Sequence, residues 1–318
     1  MSVDFARLDK AFNPKVVAVV GDKGPMYMWL RGQMGFKGKL YSVQVDPKEL
    51  DGIKELGIEN YKSLLDVPEP VDLVIVAVPR PVAYRILEDC IKKNVAAAHF
   101  FTSGFGETDT EEGIRMGKAL AERAKEANFY LVGPNCMGLY NPSIGIRQTA
   151  RQQTGFKGNI GFISQSGTHA ITFSEEAHLQ TLLINKSVSF GNGVVLDCTD
   201  YLEYFARDPD ITAIGMYLEG TRDGPRFLKT LKEVAAKKPV VIWKGGRTEE
   251  GGRHCLAYRL AGGTPRYMGI RRPPVRRRQG LQHRRTGGHA QCHSQPAAGL
   301  RQPGGDCGRL RGAIRGDC

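Results

Sequence analysis

Val16-Val17-Ala18-Val19-Val20-Gly21-Asp22-Lys23-Gly24-Pro25 decides the architecture: five apolar, mostly β-branched residues run without alternation into a glycine-containing turn. An apolar run this short and continuous suits a strand buried on both faces, as in a parallel sheet covered by helices. The pattern repeats downstream. Residues 40–45, 73–78, 96–101 and 129–132 each carry β-branched or aromatic residues. Amphipathic stretches at 82–93 and 111–127 lie between them, the second with Asp109 or Thr110 as its expected N-cap. Strands alternating with helices imply right-handed βαβ units, so the spacing predicts a doubly wound α/β domain.

A second set follows the polar, glycine-containing segment 147–158. Its expected strands are 160–163, 182–189, 213–218 and 240–243, and its expected helices 168–178, 199–206 and 225–237. The predicted organisation is two α/β domains, residues 1–148 and 149–253, followed by an irregular segment, 254–318.

That last segment dominates the charge. The chain has 318 residues and a formal charge of +12, yet residues 254–318 hold 13 arginines, no lysine, no glutamate and two acids, Asp306 and Asp317. The rest is close to neutral, so the charge is no argument for nucleic acid or an anionic membrane as partner. Asp4 and Asp9 interrupt the first ten residues and no apolar run follows, unlike a signal peptide. No stretch approaches the roughly 18 apolar residues of a membrane helix. Cys90, Cys136 and Cys198 show neither metal-ligand nor redox-pair spacing. A cytoplasmic protein without a metal is expected.

Ligands of open parallel sheets bind beyond the carboxyl ends of the strands, which makes the turns there the candidate site. Residues 21–25 form either a phosphate-receiving turn or a plain tight one; they are not G-x-G-x-x-G, so the fingerprint of an NAD-dependent oxidoreductase is missing. Asp46 either meets a ribose hydroxyl or caps a helix, and Lys48 is placed to meet a phosphate. Val78-Pro79-Arg80-Pro81 shapes a cleft wall or merely a turn. Ser103-Gly104-Phe105-Gly106-Glu107 and Gly133-Pro134-Asn135-Cys136-Met137-Gly138 extend the same rim, with Cys136 a nucleophile or, by the stronger argument, a packed thiol. Ser164-Gln165-Ser166-Gly167-Thr168 joins a strand to a helix, which favours holding an anion on helix N–H groups over acylation of Ser166, because the elbow pattern G-x-S-x-G is absent. Glu219, at a strand end, is suited to orient an imidazole or a positive group, or is a solvated turn acid.

Taken in order, VVAVVGDKG, VDP, VAVP, FTSGFGE, GPNCMG, FISQSGT, SFGN, YLEG and KPVVIWKGGR resemble the NDP-forming acyl-CoA synthetases, relatives of the succinyl-CoA synthetase α-subunit, over about residues 12–253. The resemblance implies a Rossmann-like CoA-binding domain and a flavodoxin-like ligase domain. It implies a reaction in which an acyl-CoA and phosphate give acyl phosphate and CoA, the phosphoryl group passes to a histidine, and an ATP-grasp partner subunit or domain with Mg transfers it to ADP or GDP. The same analogy places Gly21, Lys23, Lys48, Val78, Pro79 and Ser103 at the CoA, Asn135 near its thiol, Ser164, Ser166, Gly167 and Thr168 around the phosphoryl group, and Glu219 on the phosphohistidine. It also implies an oligomer, with a small carboxylic acid as co-substrate. The chain departs from the family pattern in Gly-Asp-Lys for the usual Gly-Ala-Ser and in Asp46 for a usual asparagine. A non-catalytic CoA-binding module is the alternative reading.

Relatives continue past Lys244-Gly245-Gly246-Arg247 with a loop like SHTGSLAG that carries the histidine, whereas here 254–260 read HCLAYRL. Written as CAC TGC CTC GCA TAC CGG CTC and read from the second nucleotide, those residues become T-A-S-H-T-G. Residues 254–318 are therefore expected to be an out-of-frame translation, which also accounts for their wealth of Arg, Gly, Pro and Cys. An arginine-rich nucleic-acid-binding tail and a disordered linker are the rival readings.

Overall fold

Val16–Val20 forms strand β1, buried along its whole length. Val17 and Val19 point into one core and Val16, Ala18 and Val20 into another, as the unalternating run requires. The structure is a computed structural model that describes residues 3–246; the expected segment 254–318 and the altered histidine loop lie outside the described residues. Strand β1 pairs in parallel with β2 (Lys39–Val43) and β4 (Leu73–Val76), and β3 (Glu59–Tyr61), β5 (Ala97–Phe100) and β6 (Tyr130–Val132) complete a parallel sheet in the order β3-β2-β1-β4-β5-β6. Helices α1 (Phe5–Phe12), α2 (Met28–Gly32), α3 (Pro47–Glu55), α4 (Arg80–Lys92) and α5 (Glu111–Glu126) accompany it.

The second sheet contains β8 (Ile160–Ser164), β9 (Ile184–Ser189), β10 (Ala213–Leu218) and β11 (Val240–Lys244), all parallel, with helices α6 (Gly167–Leu179), α7 (Cys198–Arg207) and α8 (Gly224–Ala235). Its order is β11-β10-β8-β9-β7, where β7 (Gly138–Tyr140) runs antiparallel on the edge beside β9. The two sheets share one core. Val17, Ile75 and Val132 join Ile163, Val188 and Phe205 in a single apolar cluster, and Phe12 of α1 stacks on Tyr204 of α7 with ring centroids 4.9 Å apart.

Several elements escape the periodicity. Strand β3 is three residues long and polar, α2 has five residues, and β7 falls in a stretch that reads as a turn. Strand β2 stops two residues before its expected end because Gln44 Oε1 accepts the N–H groups of Val45 and Asp46, turning the chain out of the sheet. Thr110, not Asp109, caps α5: its hydroxyl accepts the Gly113 N–H at 3.1 Å.

Candidate functional site

Strand order in the first sheet reverses between β1 and β4, so the turns after these strands flank a crevice. Gly21 there has φ +81°, and a Cβ on it would stand 2.5 Å from Val78 Cγ1. Protein acceptors already take the N–H groups of Gly21, Lys23 and Gly24 in this turn and of Trp29 and Leu30 in α2. The buried Asp22 accepts from Trp29 N at 2.9 Å and Leu30 N at 2.8 Å, and Glu49 Oε2 accepts from Gly24 N at 2.7 Å. Burial holds the Asp22 carboxyl above the usual carboxylate range, although its N–H donors oppose the rise. What the rim presents to an anion is therefore the exposed side chains of Lys23 and Lys48 rather than backbone donors. Asp46 is the N-cap of α3, accepting from Lys48 N at 3.1 Å, which is the capping alternative for that residue.

The loop after β5 closes against the loop after β4. Thr102 Oγ1 donates to Val78 O at 2.7 Å, and the Arg80 guanidinium reaches both Gly104 O and, at 2.8 Å, Glu112. Ser103 and Pro79 are exposed on this rim. The glycine-bounded loop after β6 then carries the chain to the second sheet. Asn135 is exposed with φ +56°, while Cys136 is buried, its thiol pointing to Phe100 O and Val132 O at 3.5 Å each. Burial pushes that thiol up to about 12, so Cys136 is a packed thiol and not a nucleophile.

In the second sheet the order reverses between β8 and β10, bringing the turns after those strands together. Gln165 Oε1 accepts the N–H groups of Glu219 and, at 2.9 Å, Gly220, which clasps the two turns. The carbonyl of Glu219 in turn accepts from Lys244 Nζ at 2.7 Å. Ser164 Oγ donates to Ser166 O at 2.7 Å, and Ser166 caps α6 by accepting the His169 N–H at 3.3 Å. The first-turn N–H groups of Gly167 and Thr168 stay outside the intrahelical ladder. The His169 ring completes this corner: Nδ1 lies 2.9 Å from Ser166 Oγ, and the ring stacks on Tyr217 at 4.1 Å and 8° with Trp243 edge-on at 4.7 Å.

Residues 133–137 connect the loop after β5 to the second reversal: Asn135 N donates to Thr102 O at 3.0 Å, and Thr102 is itself bonded to Val78 O. Met137 N donates to Ser189 Oγ at 3.1 Å, and a Cβ on Gly167 would stand 2.6 Å from Met137 Cγ. Asn192 N donates to Pro134 O at 3.0 Å from the second sheet's side. The structure thus groups Gly21, Lys23, Lys48, Val78, Pro79 and Ser103 along one rim, Ser164, Ser166, Gly167, Thr168 and Glu219 around the other reversal, and sets Asn135 between them. Glu107, Gln165, His169 and Asn192 were not singled out from the sequence. Glu107, Gln165 and Asn192 stand inside the quoted motifs, but Glu107 and Asn192 lie 85 residues apart and Gln165 and Glu219 54, where no spacing rule reaches. Among the described residues no helix is long and apolar enough to cross a membrane, and no group of three or more His, Cys, Asp or Glu is placed to hold a metal ion.

Comparison with known proteins agrees with this layout. Residues 15–142 match the family model of a CoA binding domain, and residues 157–263 match that of a succinyl-CoA ligase like flavodoxin domain. The chain is similar to acetate–CoA ligase [ADP-forming] I of Archaeoglobus fulgidus, 36% identical over 77% of this chain and 36% of the relative. It is equally similar to the α-subunit of acetate–CoA ligase [ADP-forming] II of Pyrococcus furiosus, 36% identical over 79% of this chain and 54% of that subunit. Among solved structures, the dinucleotide-forming acetyl-coenzyme A synthetase 1 of Ca. Korarchaeum cryptofilum, in complex with phosphate and ADP, superposes with a TM-score of 0.72 at 32% identity, covering 83% of this chain and 56% of that one. The chain spans between about a third and somewhat over half of the length of these relatives.

Proposed function

The chain belongs to the NDP-forming acyl-CoA synthetase family, and from that premise we propose that it is the α-type portion of such a ligase, binding CoA on the first sheet and handling a phosphoryl group on the second. Residues 1–148 are the CoA-binding part and 149–253 the ligase part. Lys23 and Lys48 meet the phosphates of CoA, Gly21, Val78, Pro79 and Ser103 line its path, and Asn135 stands near the sulfur. At the second reversal, Ser164, Ser166, Gly167 and Thr168 hold phosphate, which in the intact enzyme attacks the thioester carbonyl. The C–S bond breaks, CoA leaves as thiolate and takes a proton, and acyl phosphate forms. Fixed N–H dipoles suit this step because they need no reorganisation as charge develops.

The observation that carries this reading is the run of contacts from Val78 at the first reversal through Thr102 and residues 133–137 to Gly167 at the second, because a transfer between a thioester and a phosphoryl group needs both ligands at one place. In the family scheme the phosphoryl group then passes to a histidine, which Glu219 orients, and on to ADP or GDP in an ATP-grasp partner with Mg. This chain lacks that histidine loop and stops at CoA and phosphate binding in the cytoplasm, whereas the intact enzyme is oligomeric. Residues 254–318 are a frameshifted product.

Calorimetric titration of the chain with CoA is the direct test. A dissociation constant on the order of 1–100 μM is expected, and no binding at millimolar CoA would overturn the assignment. Sequencing DNA and RNA across codons 250–258 tests the frame. An uninterrupted frame together with tail peptides detected by mass spectrometry would refute the shift. With a partner subunit and labelled phosphoryl donor, no acid-labile histidine adduct is expected. If the adduct is absent but acyl-CoA is cleaved with ADP once the frame is restored, the ligase reading holds over that of a non-catalytic CoA module.

A further inference from the structure

Three polar side chains form a relay between the two sheets. Glu107 Oε1 accepts the Gly104 N–H at 2.6 Å, and its other oxygen, Oε2, accepts from Asn192 Nδ2 at 2.7 Å. Asn192, itself 7% exposed, accepts with Oδ1 from Asn135 Nδ2 at 3.5 Å. A carboxylate can only accept hydrogen bonds, whereas an amide has one donating and one accepting end. Glu107 therefore settles which way the Asn192 amide faces, and Asn192 settles the Asn135 amide, leaving Asn135 Oδ1 as the end not engaged in the relay. The backbone on both sides is braced: Asn192 N bonds Pro134 O, Val194 N bonds Gly133 O at 3.1 Å, and a Cβ on Gly191 would collide with Asn135 O.

We infer that Glu107 is a positioning residue that fixes, through Asn192, the amide polarity of Asn135 at the acyl end of the CoA site, and so sets the preference between acyl-CoA and free CoA. The inference rests on the CoA reading proposed above. It differs from a purely structural role in making the order of donors and acceptors the thing that counts, not the presence of a contact.

Calorimetry of the full-length chain with CoA and with acetyl-CoA, on Glu107→Gln, Asn192→Asp and the double variant, tests it. Asn192→Asp sets two carboxylates face to face, and Glu107→Gln lets both amides turn over. Each single variant is expected to weaken acetyl-CoA by about tenfold, the scale of one misplaced hydrogen bond to a charged group, while CoA changes by no more than about threefold. The double variant restores donor and acceptor order, since the amide introduced at position 107 donates to the carboxylate introduced at position 192, and that carboxylate still accepts from Asn135. It is expected to bind acetyl-CoA within about threefold of the parent chain. Equal weakening of both ligands, unchanged acetyl-CoA binding in the single variants, or no recovery in the double variant overturns the inference. Should Asn192→Asp unfold, Glu107→Gln against the double variant still decides. A parent chain that binds neither ligand removes the CoA reading itself, and the inference with it.

Discussion

Gly21 and Val78, one from each side of the first strand-order reversal, leave each other no spare volume: a Cβ on Gly21 would stand 2.5 Å from Val78 Cγ1, with Ala77 O only 3.3 Å away. The backbone at Gly21 also sits at φ +81°, where an L side chain is strained. Gly21→Ala is expected to destabilise the chain by about 1–3 kcal/mol in urea unfolding and to weaken CoA. Adding Val78→Ala removes Cγ1 but not the strained φ, so a partial recovery is expected. Full recovery would show that φ contributes nothing.

Lys23 and Lys48 are cations the rim presents once Asp22 and Glu49 have taken the N–H groups of Lys23, Gly24, Trp29 and Leu30. Lys23→Ala and Lys48→Ala are each expected to weaken CoA by roughly 3–10-fold in dilute buffer, an effect that shrinks near 1 M salt as screening sets in. Titrations at two salt concentrations check it; a loss independent of salt would mean packing rather than charge.

Ser166 separates two explanations of the same turn, a capped helix and an anion holder. Ser166→Ala loses the cap of α6 and is expected to cost about 1 kcal/mol. Ser166→Asp keeps a good capping side chain but brings a negative charge where phosphate is to be held. The expected result is parent-like melting for Ser166→Asp without the rise that inorganic phosphate gives the parent chain. A phosphate response that survives in this variant would leave only the cap.

His99, 1% exposed on β5 with Trp29 edge-on at 4.8 Å, has neither ring nitrogen hydrogen-bonded among the described residues. Burial lowers its pKa from the ordinary 6.5 to about 3. The unfolded chain therefore takes up a proton before the folded one does. Above pH 6.5 this residue leaves stability unchanged; as pH falls from there toward 3 it erodes stability by up to about 1.4 kcal/mol per pH unit. Urea unfolding at pH 7.5 and 5 is expected to show that loss in the parent chain and a smaller one in His99→Leu. An equal slope in both would place the pH sensitivity elsewhere.

The sequence made the parallel strands legible because burial on both faces leaves runs such as Val16–Val20 with no alternation to misread. Strand β10 begins and ends where its apolar run does, at Ala213 and Leu218. Short elements were not legible. Glu59-Asn60-Tyr61 pairs with β2 although its side chains are polar, since an edge strand of three residues is specified by its neighbour and not by its own pattern. The site divided the same way. Turns carrying glycine or proline announce themselves, so residues 21–25, 103–107, 133–138 and 164–168 stand out in the sequence as candidates. Side chains that meet only after folding, such as Asn192 on Glu107 or His169 on Tyr217, leave no mark in local spacing.

Strand β7 has a consequence for anyone who would divide the molecule. A cut after residue 148 would carry Gly138–Tyr140 away with the amino-terminal piece and strip β9 of its outer neighbour. The orphaned border would expose main-chain donors and acceptors along Ser187–Ser189, an invitation to self-association. The halves of this polypeptide are stitched together, and a knife placed at the apparent seam would tear cloth from both sides.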